Sequence, residues 1–249
     1  MQSVDRAVTI LEILARKGET GVTELAAELG VHKSTAFRLT AALEMRGLVE
    51  QPGERGKYRL GLGLVRLAGA ATVRMDLSQL SRPVCERLAV EVGEAINVAI
   101  LLDGEAVNID QVFGPSALTT HNWVGQRTPL HATSSGKVLL AHLPEELRKL
   151  RLAAPLERYT PHTVTDPDQL SAQLERILTD GFASCVEELE QGLNAVAAPV
   201  YAQNGQVVAA ISASGPSFRL TGERIPAVAA AVRTAAAEVS ARLGHFPSA

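Results

Sequence analysis

The sequence predicts an α+β protein in two domains, a small winged helix-turn-helix head and a larger domain around a mainly antiparallel sheet. Three observations carry this. Residues 1–62 string together helix, short helix, tight turn, helix and basic hairpin, whereas residues 83–244 group strands before and after helices. Charge divides the same way, with 11 Lys and Arg against 8 Asp and Glu in residues 1–75 and 13 against 19 in residues 76–249. The formal charge of −3 thus conceals a basic head on an acidic body, a balance that permits a polyanionic partner for the head. At 249 residues, 46% hydrophobic and 20% charged, the chain can bury two cores, which excludes a collagen, a disordered tail and a disulfide miniprotein.

In the head, Val4, Ala7, Val8, Leu11, Leu14 and Ala15 recur at helical spacing up to a stop at Gly18. Thr23 is placed to cap a short helix over residues 24–29, with Glu24 in its first turn and Gly30 at its end. A third helix runs from His32 to Arg46, with Ala36, Leu39, Thr40 and Leu43 on one face and Ser34, Phe37, Arg38, Ala41 and Met45 on the other. Lys33, Ser34 and Thr35 near its start, and Arg38 one turn on, stand where a helix inserted in a major groove meets bases and phosphates. Residues 48–51 and 57–60 flank Pro52-Gly53-Glu54-Arg55-Gly56 and predict a two-stranded wing bearing Arg55, Lys57 and Arg59. The pattern favours double-stranded operator DNA as partner, with Thr23, Lys33, Ser34, Thr35, Arg38, Arg55 and Lys57 as contact candidates.

From Gly63, the residues Leu64, Leu67, Ala68 and Ala71 mark a linker helix reaching residue 76, which either pairs two copies of the chain or packs on its own domain. The domains are then 1–62, 63–76 and 77–249. A further helical stretch through Leu77, Leu80, Val84 and Leu88 contains Pro83, which predicts a kink there or the helix's true first turn. Strands over 95–102 and 106–113 flank the turn Asp103-Gly104, and residues 116–124 read as a third strand. Helices follow over 136–143, from Pro144, and from the cap Thr165-Asp166-Pro167 to Gly181. Two apolar strands, 193–201 and 207–214, meet at Asn204-Gly205, and an Ala-rich helix over 222–243 leaves a short tail.

Enzyme motifs are incomplete. Thr133-Ser134-Ser135-Gly136-Lys137 has His131 where a phosphate loop needs its first Gly and Val138 where it needs a hydroxyl. Ser134 and Lys137 match Ser-x-x-Lys with none of its companion motifs, and Cys185 with His131 or His162 forms no recognisable pair. Cys85 and Cys185 lack zinc-ligand spacing. No catalytic residue, metal or cofactor is therefore assigned; the competing reading is a metabolite-binding or hydrolytic enzyme whose head only mediates oligomerisation. The chain start has no apolar signal segment and no stretch approaches the roughly 18 apolar residues of a membrane span, so a cytoplasmic protein is expected. A binding role suits the same residues better. The helix start at Gly136-Lys137 offers backbone N–H groups behind Ser134 and Ser135, and Ser212 and Ser214 alternate onto one face of a strand.

Ser3-Val4-Asp5-Arg6-Ala7-Val8, Pro129-Leu130-His131-Ala132-Thr133-Ser134-Ser135-Gly136-Lys137, Asp180-Gly181-Phe182-Ala183, Glu187-Glu188, Ala197-Ala198-Pro199-Val200 and Ile211-Ser212-Ala213-Ser214-Gly215-Pro216 resemble, in order, the IclR family of bacterial transcriptional regulators. The resemblance spans nearly the whole chain. It implies a winged head, a dimerising linker helix and a C-terminal GAF-like effector-binding domain, in homodimers and often homotetramers. The implied role is control of a catabolic operon, with repression the expected sign, in answer to a small-molecule effector. In family members that bind small acids, the pocket includes the pair after the Thr of His-Ala-Thr, here Ser134-Ser135 before Gly136, and two serines matched by Ser212 and Ser214. Cys185 and Ala195 stand where such members carry an Asp and a Cys. With Trp123 upstream, this departure points to an organic or aromatic acid with more apolar surface than a two- or three-carbon keto acid.

Overall fold

A computed structural model describes residues 2–52, 56–70, 72–115 and 122–245. The chain divides into two compact units, Met1–Met75 and Asp76–Ala249.

The first unit contains α1 (Gln2–Lys17), β1 (Thr20–Gly21), α2 (Val22–Glu28), α3 (Lys33–Met45), β2 (Val49–Glu50), β3 (Lys57–Leu60) and α4 (Gly63–Ala70). Ile10, Ile13 and Leu14 of α1 close a core with Leu25, Leu43, Val49 and Tyr58. Along α3 the spacing of Ala36, Thr40 and Leu43 puts all three inside, and Phe37, Arg38 and Met45 stay exposed, as the helical period requires. The wing has three strands where the sequence predicts two, in the order β1-β3-β2, with Thr20 opposite Tyr58 and Val49 opposite Leu60. A two-residue strand is too short to leave a periodic signature. It also moves the start of α2: the chain leaves β1 straight into the helix at Val22, with Gly21 in the cap position. Thr23 therefore lies in the first turn and caps nothing.

The second unit takes in most of α5 (Thr72–Val92), then β4 (Ala95–Leu102), β5 (Glu105–Val112), β6 (Arg127–Thr128), α6 (Ser134–Ala141), α7 (Glu145–Ala153), α8 (Pro167–Asp180), β7 (Ala183–Val186), β8 (Leu193–Tyr201), β9 (Val207–Pro216) and α9 (Ile225–Arg242). Six strands form one antiparallel sheet in the order β6-β5-β4-β9-β8-β7. One face packs Ile96, Val98 and Ile211 against Val84 and Leu88 of α5 and Val232 and Val239 of α9. The other packs Ala197 and Ala210 against Val138 of α6 and Leu170, Leu174 and Ile177 of α8, whose i, i+4, i+7 spacing makes one apolar stripe. Each such Leu or Ile contributes roughly 1.5–3 kcal/mol relative to exposure.

The β4–β5 hairpin turns at Asp103 (φ 51°) and Gly104 (φ 86°), the left-handed pair that a two-residue turn demands. Asp166 Oδ1 accepts from Gln169 N at 2.8 Å and Gly181 ends α8 at φ 75°, so both caps stand as read. Other expectations change. Pro83 lies inside α5, which begins eleven residues earlier at Thr72, so it does not mark a first turn. Of the strand expected over 116–124, residues 116–121 lie outside the described residues and 122–124 form no strand; β6 fills that role, with Thr128 opposite Ala106. The strand β7 carried no sequence signal of its own, and α9 starts at Ile225, after a turn, rather than at Gly222. Of the short tail, His245 stacks on Tyr201 with ring centroids 5.0 Å apart, and residues 246–249 lie outside the described residues. No described helix is long and apolar enough to cross a membrane.

Candidate functional site

On the first unit, Lys33, Ser34 and Arg38 occupy the exposed side of α3, Thr35 is half-buried, and Thr23 is exposed on α2. Ser34 Oγ lies 3.0 Å from His32 Nδ1 at the helix start. Charge pairing sorts the cations of this unit. Arg16 and Lys17 are tied to Glu24 and Glu28, and Arg59 is held by Glu50 at 2.8 Å with Glu19 at 3.9 Å. Among the described residues Lys33, Arg38, Arg46 and Lys57 carry no ion pair and keep their charge for a phosphate or a base edge. Arg59 thus adds little to the wing, and Arg55 lies outside the described residues.

In the second unit the register of three neighbouring strands makes the site. Asn97 of β4 sits opposite Ser212 of β9, and Ser214 lies opposite Ala195 of β8. Two residues apart on β9, Ser212 and Ser214 share a face, so all four side chains face the same side. With Ser135 from the start of α6 and Trp123 they line a chamber of about 60 Å³, walled further by Asn108, Thr128, Thr133, Leu189 and Leu193. Two wider hollows share its walls. One of about 220 Å³ adds Gln111 and Glu190 beside Trp123, Leu193 and Ser214, and another of about 460 Å³ adds Glu105, Arg127 and Tyr159. A more spacious groove of about 600 Å³, between α9 and β8, contains none of the eight expected binding residues; convergent polar groups, rather than volume, single out the chamber.

Five of the eight expected binding residues, Trp123, Ser135, Ala195, Ser212 and Ser214, meet in this chamber, and three do not. Ser134 is buried off the cavity. Gly136 N donates to Thr133 Oγ1 at 3.1 Å, closing the helix cap, so that N–H is not free for a ligand. A Cβ at Gly136 would stand 2.6 Å from Pro129 O, and close packing is what requires glycine there. Cys185 pairs with Ala195, but its thiol lies by Lys137 and Glu188, where burial pushes its pKa far up and keeps it protonated. Lys137, 1% exposed, places Nζ 2.6 and 2.7 Å from the two oxygens of Glu188 and 2.7 Å from Gln173 Oε1. That commitment removes it as a base for Ser134.

Within the chamber, Thr133 Oγ1 donates to Pro129 O and Thr128 Oγ1 to Ala106 O, so both hydroxyl protons are used. The hydroxyls of Ser135 and Ser212 make no hydrogen bond among the described residues, and Asn97 Nδ2 donates to Ser214 Oγ at 3.2 Å. The backbone N–H of Trp123 donates to Gln111 Oε1 at 3.1 Å. Asn97 and Asn108 escaped the sequence reading; the one cue was a lone amide within the apolar run Ala95-Ile96-Asn97-Val98-Ala99. Among the described residues no three His, Cys, Asp or Glu side chains are placed to hold a metal ion.

Comparison with known proteins agrees with this anatomy. Residues 3–53 match the IclR helix-turn-helix domain, and residues 69–241 match the bacterial transcriptional regulator IclR C-terminal domain. The HTH-type transcriptional repressor AllR of Klebsiella pneumoniae is 37% identical over 250 residues, covering 100% of this chain and 92% of that protein. Among solved structures, an IclR homolog from Microbacterium hydrocarbonoxydans complexed with 4-hydroxybenzoate superposes with a TM-score of 0.85 at 29% identity, covering 97% of this chain and 98% of that one. The Thermotoga maritima IclR gives 0.82 at 29% identity, covering 98% and 100%. Both domains of the chain, head and C-terminal domain, thus match along nearly their whole length, and the chain belongs to the IclR family of bacterial transcriptional regulators, a DNA-binding regulator and not an enzyme.

Proposed function

We propose that the protein is an effector-gated repressor of a catabolic operon, in which a small molecule held in the Trp123 chamber changes the affinity of the head for operator DNA. The observation that carries this is the chamber itself, where the free hydroxyls of Ser135 and Ser212 converge beside Trp123. In this reading residues 1–62 bind the operator through Lys33, Ser34, Thr35 and Arg38, with Thr23, Arg55 and Lys57 at the margin. Residues 63–76 pair two copies in a homodimer or homotetramer, and residues 77–249 hold the effector. Ligand and operator are coupled by linkage, and the ligand shifts operator affinity by no more than its preference for one arrangement of the dimer over another.

A chain of contacts supports the coupling. Trp123 N–H binds the Gln111 side chain, Gln111 N–H binds Asp110 Oδ1 at 2.9 Å, and the same oxygen takes Arg82 Nη1 of α5 at 2.7 Å. The wall of the chamber is thereby joined to the helix that begins before the boundary between the two units. A ligand with an aromatic face suits Trp123, and an organic or aromatic acid like the 4-hydroxybenzoate carried by the Microbacterium relative meets that description.

The test is anisotropy of labelled duplex from upstream of the gene, against a scrambled duplex, at several salt concentrations and with candidate effectors. Joint Ser135→Ala and Ser212→Ala replacement should weaken the effector response by about 1–3 kcal/mol, roughly five- to 150-fold in effector affinity, and leave operator binding unchanged. An undiminished response in that double variant removes the chamber from the mechanism.

A further inference from the structure

We infer that Phe37 reads thymine in the operator, its ring packing against the C5 methyl group that this base presents in the major groove. This rests on α3 being the recognition helix and names a base that the helix selects. Phe37 is 54% exposed on α3. It belongs neither to the core of the first unit nor to the residues packed against that core, so the fold of the head does not call for a large apolar side chain there. A lone exposed ring elsewhere on a surface carries no message; the place of this one does. Its neighbours one turn away on the same side of the helix are Lys33 and Ser34 before it and Ala41 after it, and Arg38 adjoins it. Ser34 and Ala41 are too short to cover the ring. Lys33 and Arg38 carry no ion pair among the described residues, and α3 has no carboxylate before Glu44, seven residues past Phe37. The ring therefore stands between two free cations on a stretch of helix that nothing makes repellent to DNA.

A helix that enters a major groove brings its N-terminal half to the base edges. Lys33 and Arg38 meet phosphates or hydrogen-bonding edges there, and a hydrocarbon ring can do neither. What it can cover is the thymine methyl, the apolar group that projects into the groove. Over a guanine or adenine edge the same ring would strip donors and acceptors of water and return nothing, so its preference is set by repulsion as well as attraction. Burying one methyl is worth about fourfold in affinity, and about fifteenfold where two heads each bury one. The cations thus hold the helix on the duplex, and the ring between them adds a choice of base.

The full chain is used to select duplexes from a random pool, and the selected site is then made with dT and with dU, which lacks only the C5 methyl, at every thymine. Anisotropy at fixed salt measures wild type, Phe37→Ala, Phe37→Leu and Arg38→Ala on both duplexes. Wild type should bind the dU duplex about fourfold or more weakly. Phe37→Ala should not distinguish the two, whereas Phe37→Leu, still apolar, should keep part of the preference. Because the ring lies outside the core, the melting temperature of Phe37→Ala should stay within about 2–4 °C of wild type. A selected site with no fixed thymine, or a wild type that binds dT and dU duplexes alike, overturns the inference. So does a Phe37→Ala loss that is equal on both duplexes, which assigns the ring to the sugar–phosphate backbone, and so does a methyl preference that persists undiminished in Phe37→Ala, which assigns it to another side chain. In each of these cases a weakened Arg38→Ala leaves α3 as the recognition helix. If no sequence is enriched, or Arg38→Ala binds as wild type does, that reading of α3 fails and the inference falls with it.

Discussion

Replacing Arg38 with alanine should weaken operator binding by about 1–3 kcal/mol for each head, roughly fivefold or more, while the response to effector persists. Arg38 stands one turn into α3 on its exposed side, free of any ion pair among the described residues, and nothing in the core of the first unit depends on it. A guanidinium in that position makes two parallel hydrogen bonds to a guanine edge or a phosphate, so its loss removes both specificity and charge neutralisation. If two heads bind together, the loss is incurred twice. Arg59→Ala is the informative control. It removes the same charge from the wing, but that charge is already neutralised by Glu50 and Glu19, so operator affinity and the slope of log affinity against log salt should barely move. Anisotropy titrations over a range of salt concentrations measure both variants. Equal losses for Arg38→Ala and Arg59→Ala would mean that net charge alone drives binding, and an unchanged Arg38→Ala would remove α3 as the recognition helix.

The contrast between these two arginines also locates the reach of sequence reasoning. Period and capping are local properties, so the faces of α3, the turn at Asp103-Gly104 and the caps of α8 are legible in consecutive residues. Glu50 faces Arg59 across the β2–β3 register, but the approach of Glu19 depends on a third strand two residues long, which is fixed only when Thr20 meets Tyr58 across the fold. The candidate site divides the same way. Ser212 and Ser214 share a face because strands alternate, and their side of the sheet was readable. That Asn97 joins them follows from β4 lying beside β9, a pairing between residues more than a hundred positions apart that no window along the chain contains. Cys185 lies outside the chamber for a related reason: strand register does bring it beside Ala195, but Lys137 and Glu188 fill the space around the thiol, and side-chain packing of that kind is absent from motif spacing.

That same packing sets the largest effect expected on folding. Glu188→Ala should destabilise the second unit by about 3–5 kcal/mol, because it leaves the Lys137 ammonium buried with Gln173 as its remaining partner. Taking a charge out of water is costly, and the pair is tolerated only because both carboxylate oxygens meet Nζ. Combined replacement, Lys137→Met with Glu188→Leu, removes both charges at similar volume and should recover most of the lost stability in urea or thermal unfolding. Effector response should not recover with it. The ion pair ties the helix that carries Ser135 to the segment after Glu188, which supplies Leu189 and Leu193 to the chamber wall, while Thr163 Oγ1 holds that segment through Glu188 O at 2.6 Å. Apolar side chains fill the same space without fixing the distance between those two walls. A chamber that binds by a few well-placed hydroxyls loses affinity when its walls slip by a fraction of an ångström. The double variant should therefore fold nearly as well as wild type and answer poorly to effector; if it regains both, the buried pair serves folding alone.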